Sequence, residues 1–369
     1  MAQKPRLAGH AWVFLQYLLG FRRLGYDVLF LDWLDARMAE GPLERSPNAA
    51  YLREVMEAVG LGDSFSLLDQ ATGAALAGRP REQVLHVVGE SAFLLNVMGY
   101  LQDEEILGAA PRRVFLDIDP GFGQMWWALG LHDSFAGHDA HVTIGERIGQ
   151  AGCTVPVCGI EWLTTRQPVV LEHWPTRHGG ERFTSVASWR GPFGPLDWEG
   201  RTYGLRVHEF RKFAVLPQLT PASFEVALDI HADETGDREL LAEHGWTIAD
   251  PSLVAGELSS YRRYIQSSKA ELMVAKNIYV QSRSGWFSDR SACYLASGKP
   301  VLAQDTGLGD LYPLGEGLLT FASLDEAVAG VDEICADYDR HARAARRVAE
   351  EQFDSDKVLG RLLGRLGVA

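Results

Sequence analysis

The chain has 369 residues, 46% of them apolar and 23% charged, which supplies separate cores for two domains of ordinary size and excludes a disordered chain. With 49 acidic against 35 basic residues the net charge is −14, which excludes nucleic acid as a general partner and disfavours anionic membrane surfaces, so an anionic ligand needs a local basic site. Four scattered cysteines, Cys153, Cys158, Cys293 and Cys335, give no disulfide framework and no Cys-x-x-Cys pair, as expected for a reducing cytoplasm.

The opening MAQKPRLAGHAWVFLQYLLGF sets basic residues before an apolar stretch but lacks a small-residue cleavage site, so it reads as a buried helix. Over residues 11–24, Trp12, Leu15 and Leu19 share one face with Ala11, Phe14 and Leu18 beside them, and Gly25 offers a C-terminal cap. The all-apolar run Val28-Leu29-Phe30-Leu31 follows as a strand covered on both faces. Further strands are predicted at FSLLDQ (65–70), AFLLNVMG (92–99), RVFLDID (113–119) and HVTIGE (141–146), with helical stretches between several of them, the pattern of an α/β doubly wound domain. No apolar run approaches the roughly 20 residues that a membrane-spanning helix needs.

The polar, glycine-rich PTRHGGER (175–182) marks a boundary, giving an N-terminal domain over 1–176, a C-terminal domain over 177–342 and a helical segment over 343–369. The second series of strands runs FTSVASW (183–189), FEVALDI (224–230), WTIAD (246–250), AELMVAK (270–276), PVLAQDT (300–306) and GLLTF (317–321). Two Rossmann-like domains in tandem imply a cleft between them. From Leu324 onward the chain is helical and charge-mixed, with Arg343, Arg346 and Arg347 balanced by Asp332, Glu333 and Glu350, and reads as a solvated packing face.

Two strands bring carboxylates toward that cleft. Asp117 and Asp119 lie on one face with Ile118 opposite, and Pro120 ends the strand, so Asp119, next to the loop, is the preferred base, with helix capping as its plain structural alternative. Glu146 ends another strand and is an equal candidate. The pair Trp126-Trp127 suits either an acceptor-stacking surface or the core.

Residues 282–321, SRSGWFSDRSACYLASGKPVLAQDTGLGDLYPLGEGLLTF, join a loop, a helix, a glycine turn and a strand. Ser288 is a natural N-cap, leaving the N–H groups of Asp289, Arg290 and Ser291 directed out of the helix start. The helix dipole places about half a positive charge there, and Arg290 and Arg283 add full ones, a setting for a pyrophosphate. Gly285 allows close approach to the backbone. Gly298 closes the helix, Pro300 starts a buried strand, and Asp305-Thr306-Gly307 turn at its carboxyl end, where α/β sheets bind ligands. Arg190 and Lys212, from the first strand–helix unit of the second domain, are further candidates for donor phosphate contacts.

The run Ala296-Ser297-Gly298-Lys299-Pro300-Val301, the turn Gly315-Glu316-Gly317 and the helix start Ser323-Leu324-Asp325-Glu326-Ala327 resemble the donor domain of GT-B glycosyltransferases. The N-terminal unit HAWVFLQYLLGFRRLGYDVLFLDWL extends that resemblance to the whole chain, and DIDPGFGQMW, HVTIGERIG and TRQPVVLEHWP resemble bacterial proteins labelled glycosyltransferases. The resemblance implies a nucleotide sugar donor in the C-terminal domain, an unidentified acceptor in the N-terminal domain, catalysis in the cleft and no cofactor. The large retaining families carry two glutamates eight residues apart around the donor helix. Gly285 and Cys293 stand at those positions here, with Asp289 the nearest carboxylate, so retention and inversion stay open. Inverting families pair a histidine near the first strand–helix junction with a later aspartate, which His10 and Asp117 or Asp119 match. Asp117-Ile118-Asp119 also fits the metal motif of the other large glycosyltransferase fold, but tandem domains oppose that fold, and no required metal is expected. The missing glutamates leave two alternatives, an epimerase or hydrolase of the same architecture and a non-catalytic binder of nucleotide or glycan.

GT-B chains begin with a short apolar strand, whereas MAQKPRLAG holds no run of β-branched or aromatic residues. The expectation is that this sequence starts late by about one strand, with residues 1–9 irregular and the N-terminal sheet one strand short beside Val28 to Leu31.

Overall fold

The computed structural model describes residues 1–191 and 193–368. Its first helix, Ala8–Arg23, buries Ala11, Trp12, Leu15 and Leu19. The helix closes where Gly25, at φ 89°, lets the Tyr26 N–H donate to the Phe21 carbonyl at 3.0 Å. The chain then enters strand β1 (Phe30–Leu34), later than the predicted 28–31.

Six further strands complete the N-terminal half: β2 (Phe65–Asp69), β3 (Ala75–Gly78), β4 (Leu94–Val97), β5 (Arg113–Asp117), β6 (Ala140–Thr143) and β7 (Trp162–Thr164). They form two sheets, β1-β2-β3 and β4-β5-β6-β7, parallel except for β3. Strands β3 and β7, four and three residues long, are too short to stand out in the sequence. Residues 1–7 form turns and no strand. Strand β1 pairs only with β2, and β4 only with β5, so the two sheets face each other across unpaired edges.

The C-terminal half carries β8 (Arg182–Ser188), the hairpin β9 (Leu196–Trp198) and β10 (Arg201–Tyr203), then β11 (Ser223–Asp229), β12 (Thr247–Ala249), β13 (Ala270–Met273), β14 (Val301–Gln304) and β15 (Leu318–Phe321). Six of these make one parallel sheet in the order β12-β11-β8-β13-β14-β15. Its strands are near-continuous apolar runs because helices cover both faces. The chain builds outward from β8 through β11 to β12, then returns to β13 and builds the other way. The order therefore reverses between β8 and β13, and the carboxyl ends of the strands at such a reversal are where open α/β sheets bind ligands.

The C-terminal segment is more than a solvated face. Helix Tyr338–Gln352 packs on helix Asp289–Ala296, whereas helix Ser355–Leu366 crosses back to the first helix, burying Leu359, Leu362, Leu363 and Leu366 against Tyr17 and Phe21. Gly20 makes that crossing close: a methyl group there would lie 2.5 Å from Leu359 Cδ1. Gly20→Ala is expected to destabilise the chain by about 1–3 kcal/mol through overpacking. Adding Leu359→Ala should recover part of that loss, and urea unfolding of the single and double variants measures both; strictly additive losses would contradict the packing.

Candidate active site

Both halves turn the carboxyl ends of their strands toward a shared cleft. On the N-terminal side β5 stops at Asp117, whose Oδ1 accepts the Asp119 N–H at 3.1 Å while Oδ2 accepts from Gln124 Nε2 at 2.7 Å and Thr143 Oγ1 at 2.8 Å. These bonds tie β5, β6 and helix Phe122–Ala128 together under the cleft floor. Burial pushes the Asp117 carboxyl up to about 6, against the pull of its hydrogen bonds. Asp119 is left partly exposed just beyond the strand.

On the C-terminal side, Lys276 follows β13 and Tyr279 lies one turn into helix Asn277–Ser282. Lys276 Nζ donates to Asp119 Oδ2 at 2.7 Å and the Tyr279 hydroxyl donates to Asp119 Oδ1, so one carboxylate of the first domain holds two groups of the second. Tyr279 is fixed by stacking on Trp286, with centroids 4.2 Å apart. Gly121, at φ 118°, permits the approach: a methyl group there would meet Ile278 at 3.0 Å.

Positive charge gathers behind this contact at the switch point. Arg206 is buried and donates to the carbonyl of Val274, the residue after β13. Burial and the neighbouring Arg290 push its guanidinium down to about 10, opposed by Tyr279, Glu271 and Asp119. Arg290 is buried too, donating through Nε to Glu271 in β13 and through Nη1 to the Val186 carbonyl in β8 at 2.7 Å. Its Nη2 and the second oxygen of Glu271 have no protein partner.

A family described as glycosyl transferase-like matches residues 223–364. HepE of Anabaena in complex with UDP-glucose superposes with a TM-score of 0.59 at 12% identity, over 99% of this chain and 97% of that one. A glycosyltransferase from Rickettsia africae gives a TM-score of 0.51 at 11% identity, over 92% and 98% of the two chains. A sucrose-phosphate synthase from Thermosynechococcus elongatus gives 0.50 at 12% identity, over 91% and 99%. No curated protein matches the sequence. Residues 223–364 resemble that family, and the whole chain has the GT-B fold.

The GT-B cleft gathers some of the residues singled out from sequence and leaves others apart. Asp119 bonds across it to Lys276 and Tyr279. Glu146 is bound on the N-terminal side by Arg166 at 3.1 Å and accepts from the hydroxyl of Tyr312 of the other half, so it fastens the halves together; burial raises its carboxyl above the usual range. His10 lines a cavity beside β1, edge-on to Phe14 at 5.0 Å, with Nδ1 unpartnered. Desolvation, with the N-terminus and Lys4 nearby, pushes His10 down to about 3, unsuited to a base near neutrality.

Among the predicted donor contacts, Ser288 caps its helix by accepting the Arg290 N–H at 3.2 Å, with Ser291 fully buried and Asp289 partly so. Gly285 admits Arg147 of the N-terminal half rather than leaving open space: a methyl group there would lie 3.0 Å from Arg147 Cγ. Gly307 likewise accepts from Arg147 through its carbonyl, and Thr306 is buried, donating to the Trp286 carbonyl at 2.6 Å. Arg283 and Asp305 pair at 3.3 Å, Arg190 pairs with Glu234, and Lys212 donates to the buried Glu209 at 2.7 Å. Trp126 packs with Phe122 and Phe193, while Trp127 is exposed.

Sequence reading missed Lys276, Tyr279 and Arg206. A signal for the first existed, since AELMVAK ends a buried strand on a lysine, at the end where a doubly wound sheet binds ligands. Arg206 carried none, because its position depends on the loop crossing over β13.

Two outcomes test these roles. Arg290→Ala leaves Glu271 as an uncompensated buried charge and is expected to cost about 3–5 kcal/mol, while Arg290→Leu with Glu271→Leu recovers most of that loss. Urea unfolding reads both, and a single-variant loss below about 1 kcal/mol would contradict the pairing. Because Asp117 binds its proton more tightly when folded, its contribution is present below the ordinary 3.8 and lost as pH rises through about 6, a change of about 3 kcal/mol. The stability of wild type relative to Asp117→Asn should therefore fall by that order between pH 4 and pH 7; a pH-independent difference would overturn the assignment.

Proposed function

We propose that this protein transfers a sugar, a hexose in the first instance, from a nucleoside diphosphate carrier to an acceptor hydroxyl, in the cytoplasm and without a required metal or cofactor. The observation that carries this reading is the contact of Asp119 with Lys276 and Tyr279 across the cleft, at the switch point of the second sheet. The likeness of residues 223–364 to glycosyl transferases and the UDP-glucose complex of HepE support the donor class.

In this reading the diphosphate lies over the carboxyl ends of β8 and β13. Lys276 and Arg206 face its oxygens. These cations supply the charge that a metal supplies elsewhere. Among the described residues no group of three or more His, Cys, Asp or Glu is arranged as a metal site. Binding draws Lys276 from Asp119 to the phosphate, which frees the carboxylate to orient the acceptor. The acceptor oxygen then bonds to the anomeric carbon, its proton passes to Asp119, and the diphosphate leaves with the electron pair of the broken C–O bond.

Calorimetry with UDP and GDP, together with turnover of labelled nucleotide sugars, tests this directly. Lys276→Met should weaken nucleoside diphosphate binding by about 1.5–3 kcal/mol. Asp119→Asn should keep that affinity and lower turnover about 10²–10⁴-fold. Chelator should leave turnover unchanged. Wild-type turnover in Asp119→Asn would sink the role of that residue, and release of free sugar with no acceptor requirement would replace transfer by hydrolysis.

A further inference from the structure

The helix that follows Asp119 carries two rings on one face. Phe122 and Trp126 stand four residues apart in the sequence, with centroids 5.7 Å apart. Lys276 Nζ, bonded to Asp119, also lies 5.7 Å from the centre of the Phe122 ring, so one ammonium touches both the candidate base and the first ring.

Across the cleft, the chain of the second half leaves β8 and lays Phe193 on both rings. The Phe193 centroid is 4.7 Å from that of Trp126, edge to face, and 5.9 Å from that of Phe122. Even so, Phe193 is 42% exposed, and little else holds it. From residue 190 to residue 195 the only hydrogen bonds among the described residues are those of the Arg190 side chain to Glu234. A methyl group at Gly191 or Gly194, on either side of Phe193, would meet nothing within 4 Å, so these glycines give the backbone freedom and serve no packing. Two half-exposed ring contacts are a small hold, which a ligand offering Trp126 a flat face can replace.

An apolar wall with a carboxylate and an ammonium at one end has the make-up of a small-molecule subsite. A flat ring laid on Phe122 and Trp126 brings a hydroxyl at its edge toward Asp119, whereas an open-chain alcohol gains nothing from the wall. Both rings belong to the half that carries Asp119, and the cations that face the diphosphate belong to the other half. The seat therefore falls to the acceptor and not to the nucleobase of the donor.

We propose that Phe193 is a gate for the acceptor: it occupies the seat that a hydroxyl-bearing ring, of a sugar or a phenol, takes on Phe122 and Trp126, and it swings out when that ring enters. The inference rests on the reading of Asp119 as the base of the transfer. Phe193 is then a specificity-determining residue that competes with the acceptor and forms no part of its wall.

The test titrates wild type and Phe193→Ala, with and without saturating UDP, with methyl β-glucopyranoside, phenol and the open-chain control glycerol. At least one ring probe should bind, and Phe193→Ala should lower its Kd at least about fivefold by emptying the seat, while the affinities for UDP and glycerol stay unchanged. The probe that gains tells a sugar from a phenol. In a chain carrying 4-fluorophenylalanine at position 193, that same probe should move the fluorine resonance toward its solvent-exposed value, and UDP alone should not. Ring binding that is absent from both chains, or unchanged or weaker in Phe193→Ala, would overturn the proposal. So would a fluorine resonance moved by UDP alone, which would make the nucleobase the occupant. Failure of UDP to bind wild type would instead strike the donor reading, and the titrations without UDP would still decide the gate.

Discussion

Two parallel sheets meet carboxyl end to carboxyl end, and the charged groups exposed there have each other as nearest partners. Asp119 from one half faces Lys276 and Tyr279 from the other, with Arg206 and Arg290 close behind. Everything that positions these groups serves to hold charge at one point. Asp117 ties down the strand end beneath Asp119, Trp286 holds Tyr279 upright, and Glu271 neutralises Arg290 from within the sheet. In a chain of net charge −14 this is the kind of local basic site that an anionic donor requires.

The halves are joined by more than the Asp119 contact. Arg147 reaches from the first half to Gly307 and Asp310, Glu146 receives Tyr312, and the last helix packs back on the first. Glycines stand where backbones come close, at Gly121 against Ile278 and at Gly285 against Arg147. A glycine read from sequence as room for a ligand thus proves to be room for the opposite domain.

Strand after strand was legible because parallel strands covered on both faces leave short apolar-rich runs, as in FEVALDI and PVLAQDT. Predicted ends ran long where side chains terminate a strand: Asp117 captures the Asp119 N–H, and Thr143 captures that of Gly145 at 3.0 Å. The candidate site was legible in part. Asp119 announced itself by its place at a strand end, but Lys276 and Arg206 matter through contacts with residues far along the chain, which local pattern does not record. Arg290 looked like a free phosphate ligand because its partner Glu271 lies in a strand whose neighbour is set only by the sheet order.

The central claim is that the donor diphosphate sits over the carboxyl ends of β8 and β13 and takes Lys276 from Asp119. A crystal structure with a bound nucleoside diphosphate measures this most directly. Phosphate oxygens are expected within hydrogen-bond reach of Lys276 Nζ and the Arg206 guanidinium, with the Lys276–Asp119 contact opened. Density for the diphosphate elsewhere, with that contact intact, would contradict it.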